Sequence, residues 1–349
     1  MRKKTVAVIF GGYSPEYDVS LKSASSVISA IDRDKYDVIL IGITRQGQWY
    51  RFSGSVDDIP VDKWSIDSRL LKSVVVPPSR GSGLLEIADG HVTPVPVDVV
   101  FPVLHGRYGE DGTVQGLCEL AGIPVVGSGS AASALCMDKD RAHKLVAHAG
   151  IRVPKSVCFE QPPTESDLFA AAHGFKLPVF VKPVKAGSSF GITKVETFAE
   201  LEEAVKSALG YDDAVIIEES IDGFETGCAV VGNQELKTGR IDEIELTDGF
   251  FDYEEKYTLK TSKIHMPARI NSEVERRLQD TAMHIYRILG CRGYARIDIF
   301  LSAEGEIIFN EANTIPGFTA HSRFPNMMKA VGVGFPELVD LLITMSLEI

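Results

Sequence analysis

The chain of 349 residues is 44% hydrophobic and 24% charged, an ordinary globular composition with room for two or three domains of roughly 100–200 residues each. A formal charge of -12 with no Lys/Arg run argues against a nucleic-acid surface, and no stretch of about 18 apolar residues is present to span a membrane. The odd count of 5 cysteines, widely spaced and without C-x-x-C, argues against a disulfide framework or zinc cluster and fits reduced thiols in a cytoplasmic protein.

In chain order, Val6 to Phe10 reads as a buried strand entering a Gly-Gly turn; the run is too short for a signal-peptide core of roughly 7–15 residues. Ser14 suits an N-cap and Pro15 the first helical position, and Leu21, Ala24, Val27, Ile28 and Ile31 follow at helical spacing. YDVILIGIT is a second buried strand, so the opening predicts a parallel sheet with a crossover helix. Residues 50–97 read as loops and a peripheral hairpin, and VDVVFPVLHG as another apolar strand, running into a His-Gly loop. MDKDRAHKLVAHAGIRVP is a helix ended by Gly150, with Pro154 beyond. LPVFVKP, GITKVE and AVIIEES read as short strands around a helix at 200–209. ETGCAVVG, ELKTGRIDEIEL, YARIDIFL and EIIFNEA read as further strands, with a helix at 272–289 among them.

YARIDIFLSAEGEIIFNEAN predicts two strands joined by a turn near Ala303-Glu304-Gly305. Residues two apart share a strand face, which groups Arg296 with Asp298, and Phe309 with Glu311 and Asn313. Pairing Ile299 with Ile308, or Asp298 with Glu311, brings the two groups to one side. Carboxylate and amide oxygens of this kind suit Mg²⁺, which takes a carboxylate or two plus substrate phosphates. Read alone, the hairpin fits a solvated surface feature almost as well, although its isoleucines and phenylalanines call for a buried face.

VFVKPVKAGSSFGITKV places Lys182 at a strand end before a small-residue loop, 186–189, closed by Gly191. Such a loop lets backbone N–H groups approach an anion, and Lys182 is a point charge for phosphate; the pattern is not a P-loop. Lys139, Glu218 and Glu225 are ambiguous by composition, since each also fits a solvated surface. HGRYGEDGTVQG, with four glycines, a histidine and an acid pair, fits a loop held near a ligand. Glu16 stands at a helix opening, where the dipole favours a carboxylate.

In this order, and over nearly the whole chain, these pieces resemble the ATP-grasp D-alanine–D-alanine ligases. HGRYGEDGTVQG resembles the N-terminal motif of that family, and RIDIF with FNEANTIPGFTAHS its C-terminal one. The branch most resembled is the VanG-type D-alanine–D-serine ligases of vancomycin resistance. The resemblance implies an α/β ATP-grasp fold of three α/β domains, with ATP between the central and C-terminal ones. It divides the chain into an N-terminal parallel-sheet substrate domain (1–130), a central ATP-grasp subdomain (131–215) and a C-terminal catalytic domain (216–349). It implies ATP contacts from Lys139, Lys182, Glu218, Glu225, Lys256 and Phe309, and Mg²⁺ ligands Asp298, Glu311 and Asn313, with two ions and Mn²⁺ as a substitute. Glu16, His105 and Ser188 match positions around the first D-alanine, Tyr257 the mobile loop, and Arg296 and the Gly317 N–H the groups facing the tetrahedral intermediate. A homodimer is the family habit.

The chain departs from the D-alanine–D-alanine pattern after the His-Ser pair ending at Ser322, where Arg323 stands in place of the usual leucine. A guanidinium needs an acceptor, for which Asp242 is the expected partner, with Phe251 walling the pocket. This predicts a second site polar enough to hold D-serine; the other outcome is an Arg323 turned to solvent and a D-alanyl-D-alanine product. A different ATP-grasp ligase and a nucleotide-binding sensor are the remaining alternatives; the HGRYGEDG motif counts against the first, and the full set of ligands at 296–313 against the second.

Overall fold

The structure is a computed structural model and describes residues 2–187, 189–246 and 262–348. The chain begins β1 (Lys4–Gly11), α1 (Tyr17–Ala30), β2 (Tyr36–Ile43), β3 (Trp49–Phe52), β4 (Leu71–Val75), β5 (Leu84–Ala88), β6 (His91–Val95) and β7 (Val99–Pro102). All seven strands form one sheet in the order β6-β5-β4-β3-β2-β1-β7. Only β1, β2 and β7 are parallel. Residues 50–97 hold more than loops and a peripheral hairpin: β5–β6 is such a hairpin at the sheet edge, but β3 and β4 join it in extending the sheet antiparallel. These strands are short and largely exposed, β6 burying only Val95, so they carry little apolar periodicity. The expected parallel sheet is therefore a mixed one.

β1 is apolar from Val6 to Phe10 because both faces of that stretch are covered. Val6, Val8 and Phe10 face one core with Leu21, Ala24 and Val27 of α1. Ala7 and Ile9 face another with Val114, Cys118 and Ala121 of α2 (Thr113–Ala121). α1 starts later than the Ser-Pro pair indicates: Ser14 O accepts the Tyr17 N–H at 3.2 Å, and Glu16 holds the N-cap position, its side chain not capping the helix.

α3 (Ser130–Met137) and α4 (Lys139–His148) follow, then β8 (Ser156–Phe159), α5 (Glu165–Gly174), β9 (Val179–Pro183), β10 (Thr193–Val195), α6 (Leu201–Leu209) and β11 (Val215–Glu219). This second sheet runs β10-β9-β11-β8. The third contains β12 (Gly223–Gly232), β13 (Leu236–Thr238), β14 (Asp242–Leu246) and β15 (Ser262–His265), then, after α7 (Ser272–Ile288), β16 (Tyr294–Ser302) and β17 (Ile307–Asn313). Its order is β15-β14-β12-β16-β17, with β13 beside β12. α7 is capped by the Asn271 side chain, which accepts the Glu273 and Val274 N–H groups at 3.1 and 3.0 Å. Its Leu278, Ala282, Ile285 and Tyr286 are buried among Ile297, Ile299 and Phe309 of the third sheet.

α8 (Arg323–Lys329) and α9 (Phe335–Leu347) close the chain. They do not stay with the third sheet alone. Leu338, Val339, Leu342 and Ile343 join Val6, Val8, Val99 and Phe101 in the first core.

The β16–β17 hairpin pairs Asp298 with Glu311, but Ile299 with Phe309. Asn310 is therefore an extra residue, a β-bulge that reverses the alternation. Phe309 does not share the Glu311 face: it is fully buried among Ile297, Ile299 and Ala282, edge-on to His143 at 5.6 Å.

Candidate active site

One row of residues crosses four strands of the third sheet: Asp242 on β14 pairs with Gly227 on β12, Gly227 with Asp298 on β16, and Asp298 with Glu311 on β17. Paired residues share a face, so the row carries three carboxylates with a bare position between two of them. Two arginines fill the gaps. Arg296 grips Asp298 with Nε at 2.8 Å and Nη2 at 2.7 Å. Arg323 grips Asp242 with Nε at 2.7 Å and Nη2 at 2.8 Å, donates Nη1 to Glu225 at 3.2 Å, and approaches Asp298 Oδ1 at 3.5 Å. Arg323 thus turns inward, away from solvent. Asn313, the third of the expected metal ligands, donates Nδ2 to Asp298 at 2.9 Å and to Glu311 at 3.5 Å.

A cavity of about 470 Å³ opens between the second and third sheets, lined by Lys139, Phe180, Lys182, Glu218, Glu225, Asn310 and Glu311 among others. Phe309 is not in its wall. Lys182 at the end of β9 reaches Glu218 on the adjacent β11 at 2.6 Å. Burial opposes the Glu218 charge, yet Lys182 and then His143 more than offset it, holding the carboxyl below the usual carboxylate range. Lys139 bonds Ala186 O at 2.7 Å and lies 3.8 Å from Glu311. A wider cavity of about 750 Å³ is walled by Asp138, Arg141, Lys185 and Asp212 among others, and by Arg107, Tyr108, Asp111 and Thr113 of the HGRYGEDGTVQG loop.

The N-terminal loops tie into the turn after β17. His105 is buried, with Nδ1 2.9 Å from Ile315 O and Nε2 3.1 Å from Ser23 Oγ. Ser23 Oγ also accepts the Phe318 N–H at 3.4 Å. A set of bonds in which Nδ1–H donates to Ile315 O and Nε2 accepts from Ser23 fits a neutral imidazole. Burial, partly opposed by the Ile315 contact, pushes its pKa down to about 4. Glu110 accepts the Ile315 and Gly106 N–H groups at 3.1 and 3.3 Å. Burial and then the Glu16 charge push the Glu110 carboxyl up to about 8. Glu16 is buried where two glycines make room: a Cβ on Gly106 or Gly187 would lie 2.4 or 2.6 Å from its Oε2. Among the described residues the Gly317 N–H has no hydrogen-bond partner, and Ser322 Oγ folds back to accept the Thr319 N–H at 3.0 Å.

Models of the D-ala D-ala ligase N-terminus and C-terminus match residues 5–128 and 145–344. The chain belongs to the D-alanine–D-alanine ligase family. It is 44% identical over 351 residues to the vancomycin C-type resistance protein VanC2 of Enterococcus casseliflavus, covering 99% of each chain. It is 42% identical to the D-alanine–D-alanine ligase of Shouchella clausii, covering 100% of this chain and 96% of that one. The crystal structure of the VanG D-Ala:D-Ser ligase from Enterococcus faecalis superposes with a TM-score of 0.92 at 56% identity, over 99% of this chain and 100% of that one. The fold is thus ATP-grasp, and the protein is an ATP-dependent D-alanine–D-X ligase using Mg²⁺.

The residues of this ligase fit both groups. The Glu218 Oε1 atom is buried without a hydrogen-bond partner among the described residues, an acceptor that a nucleotide hydroxyl or amino group would satisfy. No cluster of three His, Cys, Asp or Glu forms a metal cage among the described residues; two carboxylates and an amide are a set that leaves Mg²⁺ open to phosphate oxygens. Ser188, Phe251, Lys256 and Tyr257 lie outside the described residues. Glu110 went unnamed in the sequence because the HGRYGEDG glycines drew the argument; its signal was the acid pair Glu110-Asp111. His143, 3.5 Å from Glu218 Oε1 and 2.7 Å from Asn310 O, gave no sequence signal.

Proposed function

We propose that this ligase joins D-alanine to D-serine, for peptidoglycan precursors with altered termini. The observation that carries the reading is the seating of Arg323. A guanidinium has five N–H donors in a fixed fork. Asp242 takes Nε and one Nη2 donor, Asp298 lies near the other, and Glu225 takes one of the two on Nη1. Among the described residues the second Nη1 donor has no partner, and we assign it to a substrate hydroxyl. A site built to bond a hydroxyl rejects the analogue lacking it far better than an apolar slot resolves a methylene. The D-Ala:D-Ser ligase among the similar structures supports this reading; routine D-alanyl-D-alanine synthesis, as named for the Shouchella relative, is the alternative.

In the proposed reaction Lys139 and Lys182 hold the phosphates, and Glu218 and Glu225 accept from the nucleoside. Asp298, Glu311 and Asn313 hold Mg²⁺, taken as two ions with Mn²⁺ able to substitute, which when bound withdraws charge from the transferring phosphoryl group. Glu16, His105 and Ser188 surround the first D-alanine, whose carboxylate becomes the acyl phosphate. Arg296 and the Gly317 N–H stabilise the oxyanion formed when the second amine attacks, a task worth about 2.7–4 kcal/mol per donor. Tyr257 and Lys256 are assigned, from the family resemblance alone, the task of keeping water from the acyl phosphate. Phe251 and Ser322 border the second site. We place the reaction in the cytoplasm and in a homodimer, with the substrate, central and catalytic domains at 1–130, 131–215 and 216–349.

The test mixes ATP, Mg²⁺, D-alanine and D-serine and identifies the dipeptide by mass. The wild-type chain is expected to yield mainly D-alanyl-D-serine, and Arg323→Leu to lose that preference. A product ratio untouched by Arg323→Leu would remove the arginine from the account.

A further inference from the structure

We propose that Gly227 is a specificity-determining position, because its missing side chain is the seat of the Arg323 guanidinium. Gly227 stands inside β12 between its row partners Asp242 and Asp298. Glycine weakens a strand interior, and there it marks a bend or a close approach. The other glycines of β12 answer to the backbone: Gly223 and Gly232 have φ of 158° and 139°, and a Cβ on either would strike a carbonyl oxygen. Gly227 has no left-handed φ. A Cβ there would instead lie 2.5 Å from Arg323 Nη2, 2.8 Å from Asp242 Oδ1 and 2.8 Å from Met327 Cε.

The guanidinium therefore occupies the volume where a side chain would stand. The Gly227 N–H also donates to Asp242 Oδ1 at 2.8 Å, the oxygen that receives Arg323 Nη2. One residue thus fixes the acceptor and leaves the gap beside it. Any side chain at 227 lifts the guanidinium out of the row and carries Nη1 away from Glu225. The consequence for substrate choice rests on the D-serine reading of Arg323; the seat itself does not.

The test is a double-mutant cycle in the full-length enzyme with Gly227→Ala, Arg323→Leu and the pair. Two readouts are taken: the midpoint of thermal unfolding, and the ratio of D-serine to D-alanine in the dipeptide. Gly227→Ala is expected to lower the midpoint in the Arg323 background and much less in the leucine background. It is expected to lower the ratio roughly tenfold or more with Arg323 present and to add nothing once Arg323→Leu is made. An equal drop in midpoint in both backgrounds, or an unchanged ratio in the Arg323 background while Arg323→Leu changes it, overturns the proposal. If Arg323→Leu alone leaves the ratio unchanged, the D-serine reading fails and the unfolding cycle alone decides the seat. If Gly227→Ala does not fold, recovery of folded protein by adding Arg323→Leu together with Asp242→Leu, which leaves no unpaired charge in the row, supports the seat, and no recovery refutes it.

Discussion

Arg323 lies in register with Asp242 across 81 positions of sequence, two parallel bonds joining Nε to Oδ2 at 2.7 Å and Nη2 to Oδ1 at 2.8 Å. Both groups are buried. Removing one member of such a pair leaves the other charge uncompensated, at a typical cost of about 3–5 kcal/mol. Arg323→Leu, which strands the buried Asp242, is expected to destabilise the fold by about that amount; Asp242→Leu, which leaves Glu225 at 3.2 Å and Asp298 at 3.5 Å beside the guanidinium, is expected to cost less, and the double variant less than the two singles together. Urea unfolding of the wild type, the two single variants and the double variant measures it. A double variant as unstable as the sum of the singles would show that the pair does not act as a unit.

Lys182 and Glu218 form the corresponding pair at the nucleotide side, 2.6 Å apart. Hydrogen bonds to charged groups contribute about 1.5–3 kcal/mol. Lys182→Ala is therefore expected to weaken ATP binding by at least roughly tenfold, read by calorimetric titration with a non-hydrolysable analogue. Unaltered nucleotide affinity would place the phosphates elsewhere.

Asp298 and Glu311 face each other across β16 and β17. Asp298→Asn and Glu311→Gln are each expected to weaken Mn²⁺ binding, measured by electron paramagnetic resonance with an ATP analogue present. The loss should exceed the roughly 10–100-fold typical of an outer-shell partner. Titrations matching the wild type would exclude these carboxylates as ligands.

His105 and Glu110 both hold the 314–318 turn, and they titrate in opposite senses. The His105 pKa is depressed to about 4, so its contribution to stability is present above the ordinary imidazole range and is lost as pH falls toward 4. The Glu110 pKa is raised to about 8, so its contribution is present below the ordinary carboxylate range and is lost as pH rises through 8. Glu110→Gln is expected to flatten the alkaline side of the stability profile, and His105→Asn the acid side. Thermal unfolding across the pH range checks both, and profiles parallel to the wild type would contradict them.

The hairpin at 294–313 was legible because period-two alternation groups residues by face; of the two registers it left open, Asp298 with Glu311 is formed and Ile299 with Ile308 is not. Phe309 went to the wrong face because a bulge adds one residue to one strand and leaves no mark in the alternation. The extension by β3 to β6 was hidden for a different reason: strands of four or five residues with one dry face lack the periodicity that betrays longer ones. Arg323 and Asp242 were brought together by family likeness, since neither has a local signal for the other. The bare position under Arg323, Gly227 between Asp242 and Asp298, is visible only once both neighbours of β12 are in place.

The last helix has a consequence for how the molecule is made. Leu338, Val339, Leu342 and Ile343 cover the apolar side of a sheet whose first strand is Lys4–Gly11, and Asp340 is bonded by Lys35 and Tyr36. A nascent chain therefore carries that oily surface uncovered until residues 335–347 have been made. An early strand waits about 330 positions for the helix that shields it from other chains.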